Sequence, residues 1–224
     1  MSHTYEFPPA VVLGLWLNAA RTGAVSTTDA ANALETISGQ INLKDSTWVE
    51  IVDVVKQARE PVAVALPVEG DPAGVTVGVL KQIVRTSGVV AIDNNLLLCQ
   101  SPGFGWTLMS EPSNVLHYDL SQTRRSLTDQ IAIAANRLSA SELVGDETEV
   151  INALDSFRAL HLPPHLSKRS TDALELAARV IIISRGALAA SSAVHSPSID
   201  RLRVENLEQL ILRSRMVLQS VVIT

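Results

Sequence analysis

Charge, aromatic rings and cysteine are all scarce in this sequence. Charged residues make up 18% of the 224 and aromatic ones 4%, against 46% apolar. That balance excludes a disordered chain and leaves Ala, Val, Leu and Ile to build the core. Cys99 is the single cysteine, so no internal disulfide can form. Its apolar surroundings read as core packing, because a reactive thiol needs an accessible, electropositive setting. Long apolar runs are also missing. The longest uncharged one, Ala10 to Leu17, is far short of the roughly 20 residues that span a bilayer. Glu6 precedes that run and Pro8-Pro9 reads as a helix start, so it does not have the form of a signal peptide. A cytoplasmic protein with no membrane partner is the expectation.

The motifs of common chemistries are missing too. No Gly-x-Ser-x-Gly elbow occurs, and Cys99 has no assignable His partner, so neither a hydrolase nor a thiol nucleophile is supported. His161 and His165 have the spacing of a helical metal pair, but Pro163-Pro164 between them breaks the helix that would aim both rings. Asp146, Glu147 and Glu149 cluster where a helix start favours acids through its dipole. No catalytic residue, metal ligand or cofactor is therefore expected.

The net charge of −5 conceals an asymmetry: residues 1 to 165 carry 10 Lys and Arg against 18 Asp and Glu, and residues 166 to 224 carry 8 against 5. Neither part has the clustered basic footprint of a nucleic-acid binder. Three helices followed by a sheet also suit a winged helix. The acids Glu35, Asp45, Glu50, Asp53 and Glu60 would repel phosphates there, so no nucleic-acid partner is expected.

What is present is organised around Pro61 to Ser110. Pro61 to Leu66 is short, β-branched and closed by Pro67, as a buried strand would be. Glu69 to Gly74 supplies a turn, and Val75 to Thr86 has apolar residues at helical spacing. Val89 to Ile92, Leu96 to Gln100 and Trp106 to Met109 then read as strands. Ahead of this sheet, Pro9 to Arg21 is predicted as a helix closed by Gly23, with Trp16 as a core anchor. A second helix starts at a capping box made by Ser26 and Asp29, and a third runs from about Thr47 to Arg59.

Leu15-Trp16, Gly23, Ser26, Asp29-Ala30 and Ala33, with Leu66-Pro67 and Gly70-Asp71-Pro72 further on, resemble an uncharacterised family of actinobacterial proteins. The resemblance covers the first third of the chain. It implies a bacterial cytoplasmic protein of unknown function and carries over no catalytic residue.

Beyond the sheet, helical periodicity recurs in Asp119 to Leu138, from Asp146 to before Pro163-Pro164, in Ser170 to about Ala190 and from Ser196-Pro197 onward. These four helices should form an antiparallel bundle. The fold expected is α+β: N-terminal helices, a small central mixed β-sheet with a covering helix, and the bundle. A cut between residues 112 and 113 would divide it into 1–112 and 113–224; the alternative is one continuous domain, since no linker marks the boundary.

The function expected is a non-enzymatic interaction or regulatory protein, pairing with itself as a homodimer or with another protein through broad apolar helix faces. The alternative is a small-molecule-binding module. Gly70, Asp71 and Gly74 would then offer a strand-turn-helix amide cradle for an anion or polar ligand, and Phe104 and Trp106 would cover its edge. Glu69 and Asp71 oppose an anion at that turn, which lacks the Lys and Ser/Thr of a P-loop.

Overall fold

The structure is a computed structural model describing residues 7–38, 47–68, 72–73, 75, 88–93, 96–101, 105–110, 115–138, 147–189 and 197–224. It divides into two compact units. A sheet unit comprises Pro8–His117, His161–Ser167 and Val221–Thr224; a helical unit comprises Met1–Phe7, Tyr118–Leu160 and Lys168–Ser220. The division lies near residue 117 and, unlike a single cut, returns two later segments to the sheet unit.

In the sheet unit, α1 (Pro9–Arg21) begins at a proline already fixed in helical φ. It ends in a Schellman turn: Gly23 at φ +75° donates to the Ala20 carbonyl at 3.0 Å and Ala24 donates to that of Ala19 at 2.9 Å. That abrupt stop leaves few residues before α2 (Thr27–Ser38), whose Asp29 amide is capped by Ser26 Oγ at 3.1 Å while Ser26 Oγ donates to the Asp29 carboxylate at 2.6 Å. Thr47 and Glu50 form a reciprocal capping box on α3 (Trp48–Gln57), which buries Trp48, Ile51, Val52 and Val55.

The sheet runs in the order β1 (Ala63–Ala65), β2 (Gly88–Ile92), β3 (Leu96–Ser101), β4 (Gly105–Met109). Every pairing is antiparallel, which corrects the expected mixed sheet within a fold that is α+β as anticipated. The reason lies in the register. Ala65 faces Val89, so the connection leaves and rejoins the sheet at one end, and such a return sets neighbours antiparallel whatever it contains. The helix expected over Val75 to Thr86 lies outside the described residues, Val75 excepted.

Both sheet faces are covered. On one, Ala63, Ala65, Val89, Ala91, Leu97 and Cys99 cluster with Ala73, Val75 and Val115, and with the partly buried Met109 and Ile223. The other, by strand alternation, carries Val64, Val90, Leu98 and Trp106, all buried. Here α1 comes close: a Cβ on Gly88 would sit 2.5 Å from that of Ala10, and one on Gly14 would sit 2.6 Å from Val64 Cγ2. At the β2–β3 turn, Asp93 holds a positive φ of 42° and accepts from the amides of Arg59 at 3.1 Å and Glu60 at 3.2 Å, fixing the loop that feeds β1.

The helical unit packs α4 (Leu120–Leu138), α5 (Glu147–Arg158), α6 (Lys168–Ala189) and most of α7 (Pro197–Ile223). Asp119 caps α4 through the Gln122 amide at 2.8 Å. Leu120, Leu127, Ala173, Leu174, Ala177, Ile181, Leu207 and Leu218 lie in its interior. Phe157 meets Phe7 with ring centroids 5.1 Å apart. No helix among the described residues is long and apolar enough to cross a membrane.

Candidate functional site

The sheet unit contains an open cleft of about 1090 Å³. The Schellman turn supplies Gly23, Ala24 and Val25 to its wall. The outward face of α2 adds Asp29, Asn32 and Thr36, with Ala33 between them, and Lys56 reaches in from α3. The segment between α5 and α6 adds His161, Leu162, Pro164 and His165 to the lining.

Trp16 ties that segment down. Its indole N–H donates to the His161 carbonyl at 2.9 Å, and its ring lies nearly parallel to the His161 imidazole, centroids 5.4 Å apart and planes 13° from parallel. Trp16 is 3% exposed, whereas the His161 and His165 side chains are exposed. Among the other lining residues, Lys56 Nζ donates to Thr27 Oγ1 at 3.1 Å, and Ser26 Oγ donates to one oxygen of the Asp29 carboxylate. The lining thus joins one carboxylate, one ammonium and two imidazoles to Val25, Ala33 and Leu162. Small-molecule sites have this mixture, with apolar contact providing area and a few polar groups fixing orientation.

Of the residues singled out in the sequence, Gly70, Asp71, Gly74 and Phe104 lie outside the described residues. Pro72 and Ala73 of that turn are described, and Ala73 holds φ 52° while the Val75 amide donates to the Pro72 carbonyl at 3.1 Å. Trp106 is 1% exposed, on the sheet face beneath α1. Cys99 is buried, and desolvation pushes its thiol from 9.0 to about 11, as core packing requires. No cluster of three or more His, Cys, Asp or Glu that could hold a metal occurs among the described residues.

Sequence reasoning missed the cleft because each lining residue already has a local role: Trp16 as core anchor, Asp29 as cap, His161 and His165 as loop. One signal was available. Five positions that carry the family resemblance, Trp16, Gly23, Ser26, Asp29 and Ala33, all line it.

Residues 10–112 match the model of one family, the Rv1486c-like protein, N-terminal domain. The family is uncharacterised, and Rv1486c is mycobacterial. The resemblance to an uncharacterised actinobacterial family thus holds over that range. No curated protein and no solved structure matches the chain.

Proposed function

We propose that this is a cytoplasmic, non-enzymatic binding protein whose cleft holds a small polar molecule carrying a flat ring. The observation that carries the reading is the exposed His161 imidazole lying parallel on Trp16 at the cleft wall. A ring stacked on one side leaves its other face for a second ring, and offset stacking adds roughly 0.5–1.5 kcal/mol beyond area burial. Asp29, Asn32 and Lys56 offer an acceptor, a mixed amide and a donor around it.

The test is an amide and indole chemical-shift titration with adenosine, nicotinamide and riboflavin as flat probes and ribose as the non-flat control. At least one flat probe is expected to shift the Trp16 indole and the Ala24 and Ala33 amides, with ribose leaving them unchanged. His161→Phe should retain the response and His161→Ala should weaken it severalfold. Silence at those positions with every probe would sink the reading.

A second reading, self-association, has its own support. Ile133, Ile151, Ile183 and Leu202, one on each of α4 to α7, are 42–55% exposed. Light scattering on the purified protein would test it, and a monomer at every concentration would count against it.

A further inference from the structure

We infer that residues 10–112, the range of the family match, do not complete a domain alone: α1 presents a docking surface for two later segments of the same chain, 161–167 and 221–224. Three independent features of α1 point to it.

The first is Asn18, whose single carboxamide takes part in four hydrogen bonds, one of them accepted from Arg21 Nε at 3.4 Å in the same helix. Its nitrogen donates to the Val62 carbonyl at 2.8 Å and to the Val222 carbonyl at 2.6 Å, and its oxygen accepts from the Val62 amide at 2.9 Å. The Val222 carbonyl belongs to the last turn of α7, where helical geometry provides no acceptor's partner. Val62 stands just before β1, an edge strand whose outer backbone groups need cover.

The second is Gly14. A Cβ there would lie 2.7 Å from Val222 Cγ1, so the missing side chain is the notch in which Val222 sits. Val221 and Val222 are both buried, and Ile223 packs on the cluster of the opposite sheet face. The last turn of α7 therefore meets α1 through Val222 and the cluster on the far sheet face through Ile223.

The third is Trp16, a buried side chain whose one donor is met by a carbonyl 145 residues away. Without residues 161–167 that indole N–H loses its acceptor, and the cleft loses the wall formed by His161, Leu162, Pro164 and His165.

Hydrogen exchange read by mass spectrometry on the full chain, on a chain stopped after Ser220 and on Asn18→Asp tests the inference. Asn18→Asp keeps the acceptor for the Val62 amide and removes the donor to Val62 and Val222. The shortened chain is expected to exchange on the order of tenfold faster across α1, β1 and β2, with α4 to α6 unchanged. Unaltered protection of α1, β1 and β2 in that chain would show that the sheet unit is complete without residues 221–224 and overturn the inference. Should the shortened chain fail to fold, Asn18→Asp decides: faster exchange confined to 62–65 and 219–223 supports the docking, and exchange unchanged at both places overturns it.

Discussion

The sheet unit and the helical unit bury different materials. All nine polar or charged side chains buried among the described residues, from Thr123 and Ser170 to Gln219 and Ser220, lie in the helical unit. The sheet unit instead buries Leu13, Leu17, Leu34, Ile92, Leu97, Leu98 and Trp106 almost completely. Several of these groups bond to nearby helix backbone, whereas Ser214 Oγ has no hydrogen-bond partner among the described residues. Thr123 Oγ1 donates to the Leu120 carbonyl at 3.2 Å and Ser220 Oγ to that of Val217 at 2.8 Å, and the two hydroxyls lie 2.9 Å apart. Arg203 reaches the Ala187 carbonyl in the last turn of α6 at 2.8 Å, where a cation complements the helix dipole.

The largest effect should come from emptying the sheet core. Trp106→Ala is expected to cost about 3–5 kcal/mol in denaturant unfolding, as deletions of buried aromatics do. A cost below about 1 kcal/mol would break the contrast, since it would mean the aromatic core is dispensable.

Arg203 separates the two interiors more finely. It is 4% exposed, and its Nε has no hydrogen-bond partner among the described residues. Arg203→Ala is expected to cost about 2–3 kcal/mol by leaving a cavity and an unpaired carbonyl. Arg203→Met, which restores apolar volume, should fall within about 1 kcal/mol of wild type or exceed it. If Met proves worse than Ala, the charge itself holds the helices together.

Cys99 provides a pH test of the sheet side. Its thiol is raised in the folded state to about 11, so the unfolded chain ionises first. The contribution is fully present below about pH 9 and is lost as pH rises from there toward 11, by about 2 kcal/mol. The measurement is the difference in alkaline unfolding between wild type and Cys99→Ala, which cancels other titrations. A difference that stays flat across that window would place the thiol in contact with water.

Least should follow from Thr123→Val in the helical unit. Ser220 keeps its bond to Val217, so the loss should be about 0.5–1 kcal/mol. A loss above 2 kcal/mol would make the Thr123–Ser220 contact a specific lock between α4 and α7.

The local elements were legible because their signals are local. Pro9, Gly23 and Ser26 with Asp29 mark helix ends by side-chain chemistry available within a few residues, and the structure uses each in that way; of Asp45, Ser46 and Thr47, all suited to cap the third helix, it uses Thr47. Strand direction was not legible, since it depends on where the connection after Ala65 returns. Nor was the polar stripe of α7, in which Arg203, Asn206 and Gln219 are buried beside Leu207 and Leu218. Periodicity counts apolar residues, whereas Arg203 and Asn206 bond to backbone carbonyls at Ala187 and Leu202. The cleft was hidden for a third reason: His161 and Trp16 are far apart in sequence, and no spacing rule links them.

Native mass spectrometry of the purified full chain tests the functional proposal most directly, because one spectrum reports both subunit number and any retained small molecule. The expected spectrum shows a monomer carrying a reproducible added mass, diminished in His161→Ala and kept in His161→Phe. A dimer without added mass, unaffected by either substitution, would contradict the cleft as the functional site and favour the exposed aliphatic side chains of α4 to α7.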